Sequence, residues 1–99
     1  MRSQEKTECN LLYCESGFNM SVQASNTTAC DPKNNIGPYH EVEIGYPSRV
    51  ETCLLPYCEE PSEPLNSVYL YVPVRVLWEV ITKHGGIVSG TLPPITITG

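Results

Sequence analysis

The stretch "SVYLYVPVRVLWEVITKHGG", residues 67–86, changes its hydrophobic period half-way along. Before Pro73 the repeat is two: Val68, Leu70 and Val72 alternate with Tyr69 and Tyr71, which predicts a strand whose second face carries the tyrosines. After Pro73 the repeat is helical, with Val74, Leu77, Trp78 and Ile81 on one stripe. Proline suits the first turn of a helix because the donor it lacks would be unpaired there anyway. Lys83 and His84 fall in the last turn, where positive charge is favoured, and Gly85-Gly86 stops the helix.

Two further strands are predicted upstream. In "GFNMSVQAS", residues 17–25, Phe18, Met20, Val22 and Ala24 alternate with Asn19, Ser21, Gln23 and Ser25. In "YHEVEIGY", residues 39–46, Val42, Ile44 and Tyr46 stand opposite Glu41 and Glu43. Between them "ACDPKNNIGPYH" is turn chemistry that reverses the chain, so the two strands pair antiparallel. The Pro-rich acidic run from Val50 to Pro64 reads as loop with room for a short turn of helix, and the tail "GTLPPITITG" as an edge strand carrying Ile95 and Ile97. The expected architecture is one α+β domain over residues 1–99: a small antiparallel sheet of about three strands packed on one C-terminal helix, after a cysteine-rich N-terminal segment.

Six basic against eleven acidic residues give a formal net charge of −5, the wrong sign for binding a phosphate backbone. No stretch is long and apolar enough for a membrane span or a signal core, so the chain reads as cytoplasmic. Phosphate-cradling glycine loops are missing, which removes nucleotides as expected ligands, and no small-molecule substrate is expected. His40 and His84 are the only candidate bases, with no nucleophile elbow or thiol-protease signature near either, so no enzymatic activity is expected.

The five cysteines carry the metal question. "CNLLYC", Cys9 to Cys14, returns as "CLLPYC", Cys53 to Cys58, with Cys30 between. Spaced thiols hold zinc, form disulfides, or pack as small hydrophobes. An odd number in a chain with no export signal argues against a closed disulfide framework. The expected ligand set for a structural zinc is Cys9, Cys14, Cys30 and Cys58, with Cys53 or His40 as alternatives for the last place. Two glycosylation sequons, at Asn19 and Asn26, point instead toward a secreted, disulfide-linked extracellular module, which is the competing reading.

What remains is a recognition surface. From Val50 to Val74 the chain carries Glu51, Glu59, Glu60 and Glu63 with no basic residue. Tyr69 and Tyr71, of a residue type that dominates interface hot spots, follow directly. Glu59, Glu60, Glu63, Tyr69 and Tyr71 are therefore the expected contacts to a protein partner with a basic surface.

Taken in order, "FNMSVQAS", "GPYHEVEIGYPS" and "VYLYVPVRVLWEVITKHGG" resemble small proteins carried by bacteriophages and prophages. Proteins of that kind include anti-CRISPR inhibitors, some containing zinc. The resemblance implies stoichiometric blockade of a type II CRISPR effector nuclease in the bacterial cytoplasm, by covering a basic surface the enzyme needs for guide or target DNA.

Overall fold

The structure, a computed structural model, describes residues 11–96. Five strands, β1 (Leu11–Cys14), β2 (Asn19–Gln23), β3 (Glu41–Gly45), β4 (Val68–Pro73) and β5 (Ile87–Gly90), form one antiparallel sheet in the order β4-β3-β2-β1-β5. Among the described residues a single α-helix, α1 (Val74–Lys83), connects β4 at one edge to β5 at the other and covers one face. The α+β class, the antiparallel sheet and the helix after Pro73 are as expected; the sheet has five strands where about three were predicted.

The two extra strands are four residues each, "LLYC" and "IVSG", and each acquires its extended form from the neighbour it pairs with. β1 and β2 make a tight hairpin. The Cys14 N–H donates to Phe18 O at 2.8 Å and the Gly17 N–H to Cys14 O at 2.9 Å, with Gly17 at φ +95°, where a side chain would be strained. The expected edge strand in the tail is reduced to an isolated parallel bridge between Ile95 and Tyr39, and Ile97 lies outside the described residues.

The sheet's buried face is built from residues in register: Leu12 opposite Met20, Val22 opposite Ile44, Ile44 opposite Tyr69, and Val42 opposite Val72. From above, α1 contributes Val76, Leu77, Val80 and Ile81. That stripe differs from the predicted one, for Trp78 is 36% exposed and Val76 and Val80 take its place. α1 begins where the Val74 N–H finds His40 O at 2.9 Å, and it ends in a Schellman motif: Gly86 N–H to Ile81 O at 2.9 Å, Gly85 N–H to Thr82 O at 3.1 Å.

A β-bulge in β4 decides which tyrosine is inside. Between the Val42–Val72 and Ile44–Tyr69 pairs, β4 spends three steps against two on β3. The extra residue shifts the alternation by one, so Tyr69 and Val72 both face the core while Tyr71, at φ +52°, points to solvent. The Tyr71 N–H, turned out of the ladder, bonds Ala29 O at 3.1 Å.

β5 depends on Gly90. At φ +103°, opposite Leu12, it lies so close to β1 that a Cβ would strike the Leu11 carbonyl oxygen and come within 2.8 Å of Leu12 Cα. Gly90→Ala is expected to destabilise the domain by about 2 kcal/mol and to detach the β5 edge. Chemical denaturation together with faster amide exchange at Tyr13 and Ser89 checks it; unchanged exchange at both would contradict it.

Candidate functional site

Of the expected zinc ligands, Cys9 lies outside the described residues. Cys14 is buried at the end of β1, where burial pushes its thiol pKa up. Cys30 is buried ahead of β3 and donates its thiol proton to Ser25 O at 3.0 Å. Cys58 is half-buried and bridges to Tyr69 along the outer side of β4. Cys14 and Cys58 are thus at opposite ends of four strand spacings, about 19 Å, whereas two thiolates on one zinc sit about 4 Å apart. The two do not meet, so the set Cys9, Cys14, Cys30 and Cys58 is not assembled as one shell. Among the described residues no three His, Cys, Asp or Glu side chains gather as a metal-ligand group. The alternatives are also apart from such a group: Cys53 is half-buried beside Glu51, and His40 is exposed at the start of α1. Burial, with the charge of Glu51 and Glu79, raises the Cys53 pKa, partly offset by Lys83.

The acidic residues divide into two groups. Glu59, Glu60 and Glu63 are exposed, on a loop whose backbone is held by short bonds. The Glu59 N–H donates to Val68 O at 2.9 Å, the Glu60 N–H to Ser67 Oγ at 3.0 Å and the Asn66 N–H to Glu63 O at 2.9 Å. Beside them Val50, Ser62, Glu63, Pro64, Leu65 and Asn66 line a shallow cleft of about 290 Å³. Val50 and Leu65 are exposed in it beside Glu63, whose Oε1 accepts from Asn66 Nδ2 at 3.3 Å.

Glu51 belongs to the second group, turned inward with its residue only 3% exposed. Tyr69 is also misplaced by the sequence reading. It is fully buried and its hydroxyl donates to Pro64 O at 2.6 Å, so it supports the acidic loop from beneath and offers no surface to a partner. Tyr71 is exposed, but it lies with Ala29 and Lys33, whose Nζ is 6.0 Å from its ring centroid, and not with the cleft.

The inward-turned Glu51 organises a cluster that residue spacing did not reveal. Its Oε2 accepts from Lys83 Nζ at 2.6 Å and its Oε1 lies 2.7 Å from His84 Nε2. His84 Nδ1 is 2.9 Å from Ser16 Oγ, and its ring stacks on Phe18 with centroids 4.2 Å apart. Backbone bonds fix the same junction: Glu15 N–H to Gly86 O and Ser16 N–H to His84 O, both 3.0 Å. Burial would raise the Glu51 carboxyl, but the hydrogen bonds of Lys83 and His84, with the positive charge of Lys83, outweigh it and hold the pKa below the ordinary carboxylate range. Lys83 is raised in turn by its hydrogen bond to Glu51. His84, which the sequence places in the last turn of the helix, stands at its C-cap and donates its N–H to Val80 O and Ile81 O, at 3.1 and 3.2 Å. Its ring is the unforeseen part, because Ser16 and Glu51 lie 68 and 33 residues away in the chain.

Comparisons with protein-family models, curated proteins and solved structures find no match to this chain. Among the described residues no helix is long and apolar enough to cross a membrane.

Proposed function

We propose that the chain is a docking module for a basic polypeptide surface, received at the cleft between Val50 and the 62–66 loop. The supporting observation is the juxtaposition in the cleft of the apolar Val50 and Leu65 with Glu63, on a loop that also carries the exposed Glu59 and Glu60. A lysine or arginine fits such a place with its aliphatic stem on the apolar pair and its cation toward the carboxylates. The nearest basic residue in sequence, Arg49, does not neutralise them: its guanidinium is directed to Ser16 O at 3.4 Å. The loop is tied by its backbone bonds, so little ordering cost opposes binding. This reading requires no metal.

The finer proposal, drawn from the resemblance to phage-carried inhibitors, is that the basic surface is the nucleic-acid-binding face of a type II CRISPR effector. Exchanging Glu59 and Glu60 together for Lys is expected to slow association about tenfold at low salt and to flatten the salt dependence, since rim charges act mainly on the on-rate. Surface plasmon resonance against an immobilised Lys/Arg-rich peptide tests the docking surface, and target cleavage by guide-loaded effectors tests the finer class. Peptide binding without any loss of cleavage would leave the docking module standing and remove the inhibitor reading. Equal binding by the parent and the double variant would remove both.

A further inference from the structure

The protons of the Ser16–His84–Glu51 chain can be placed one by one. Glu51 is held ionised by its ion pair with Lys83 and has no proton to give, so at 2.7 Å it must be His84 Nε2–H that donates. In its singly protonated form the ring then presents a lone pair on Nδ1. Ser16 Oγ already accepts from the Phe18 N–H at 3.3 Å, which turns its own hydroxyl proton toward Nδ1, 2.9 Å away. The stack on Phe18, with ring planes within 11° of parallel, fixes the imidazole in that orientation. The result is a hydroxyl, a base and an orienting carboxylate in hydrogen-bond sequence, the connectivity of a serine-nucleophile relay with the two ring nitrogens exchanged.

Access and charge fit the same chemistry. Ser16 sits on the exposed tip of the β1–β2 hairpin, so an acyl donor can approach its oxygen from solvent. The Arg49 guanidinium, bonded to Ser16 O at 3.4 Å, places a positive charge on the same hairpin tip.

We infer that Ser16 is a nucleophile for acyl transfer from activated esters, with His84 as its general base and Glu51 as the positioning residue that fixes the ring. Ser16 Oγ forms a bond to the acyl carbon while its proton passes to His84 Nδ1. The tetrahedral adduct collapses by breaking the bond to the leaving alcohol, whose oxygen takes the proton back from Nδ1. Water, deprotonated by the same nitrogen, then adds to the acyl carbon, and as the bond to Ser16 Oγ breaks and the acid leaves, Nδ1 returns the proton to Ser16 Oγ. This inference is independent of the docking cleft, which shares none of these three residues.

The test is p-nitrophenyl acetate with the full chain, following p-nitrophenol release and mapping the acyl group by peptide mass spectrometry. The expected result is one acetyl group on the peptide carrying Ser16, trapped before deacylation by acid quench. Ser16→Ala, with its thermal unfolding checked against the parent, should lower release about a hundredfold. A phosphonofluoridate probe on the unaltered chain should label Ser16 and needs no variant to fold. Acylation confined to cysteine thiols, no labelling of Ser16 by either reagent, or a folded Ser16→Ala that releases p-nitrophenol at the parent rate would each overturn the inference and leave the cluster as a clamp between hairpin and helix.

Discussion

Tyr69→Ala is expected to destabilise the domain by about 3–5 kcal/mol, enough to unfold much of it at physiological temperature. The ring is fully buried between the core of the sheet and the acidic loop, opposite Ile44, and its truncation leaves a cavity and an unpaired carbonyl at Pro64. Tyr69→Phe keeps the ring and loses only the 2.6 Å hydrogen bond, which should cost about 1 kcal/mol. Burial, and then the neighbouring Cys58 thiol, raise the Tyr69 hydroxyl from an ordinary 10.0 to about 12. Its folded pKa lies above the unfolded one, so the stability it contributes is complete below pH about 10 and lost as pH rises through about 12. Urea titrations across that window should show the parent weakening more steeply than Tyr69→Phe. A residue serving only as a partner contact would show neither the large truncation cost nor the alkaline slope.

The same residue marks where the sequence stops being sufficient. Alternation in residues 68–72 is real, and it puts Val68, Leu70 and Val72 inside only if β4 runs without interruption. The bulge is set against β3 and by the Ala29 carbonyl that receives the Tyr71 N–H, both distant in sequence. By contrast Phe18 just before β2, Met20 and Val22 on β2, and Val42 and Ile44 on β3, are buried as their alternation predicts, because those central strands meet no bulge on their shared ladder. Tyr46 leaves the pattern where its strand does, at Gly45, with φ +49°.

The repeated Cys-x4-Cys spacing was legible and its meaning was not. "LLYC" of the first copy is β1, with Leu12 and Cys14 inward and Tyr13 outward, whereas "LLPY" of the second contains Pro56 and folds into a short 3₁₀ turn, Leu55–Tyr57. Proline at the start of that turn pre-sets a helical φ and withholds a ladder donor, so two similar strings take unlike backbones. The helix terminator Lys83-His84-Gly85-Gly86 was equally readable as local chemistry. What it does for Glu51 and Ser16 follows only once β5 returns beside β1 and brings the end of α1 onto the hairpin.

Glu51→Gln should lower stability by about 2–3 kcal/mol at pH 7, less than a fully buried pair would cost because the Lys83 side chain is 55% exposed and remains hydrated. The amide keeps the shape and one acceptor for His84 Nε2–H, so the loss measures charge and the Lys83 hydrogen bond more than packing. The sign of the pH dependence is fixed by the lowered carboxyl pKa. A folded pKa beneath the unfolded value of 4.5 means that the stability is complete above pH about 4.5 and disappears as pH falls through the folded pKa. Parent and Glu51→Gln should therefore differ most near neutrality and converge in acid, with the parent's urea midpoint falling faster. A gap of the same size at pH 7 and pH 2 would assign the loss to altered packing around the hairpin. Convergence would assign it to a carboxylate that must stay ionised to hold Lys83 and the His84 ring, the condition on which the proton placement at Ser16 rests.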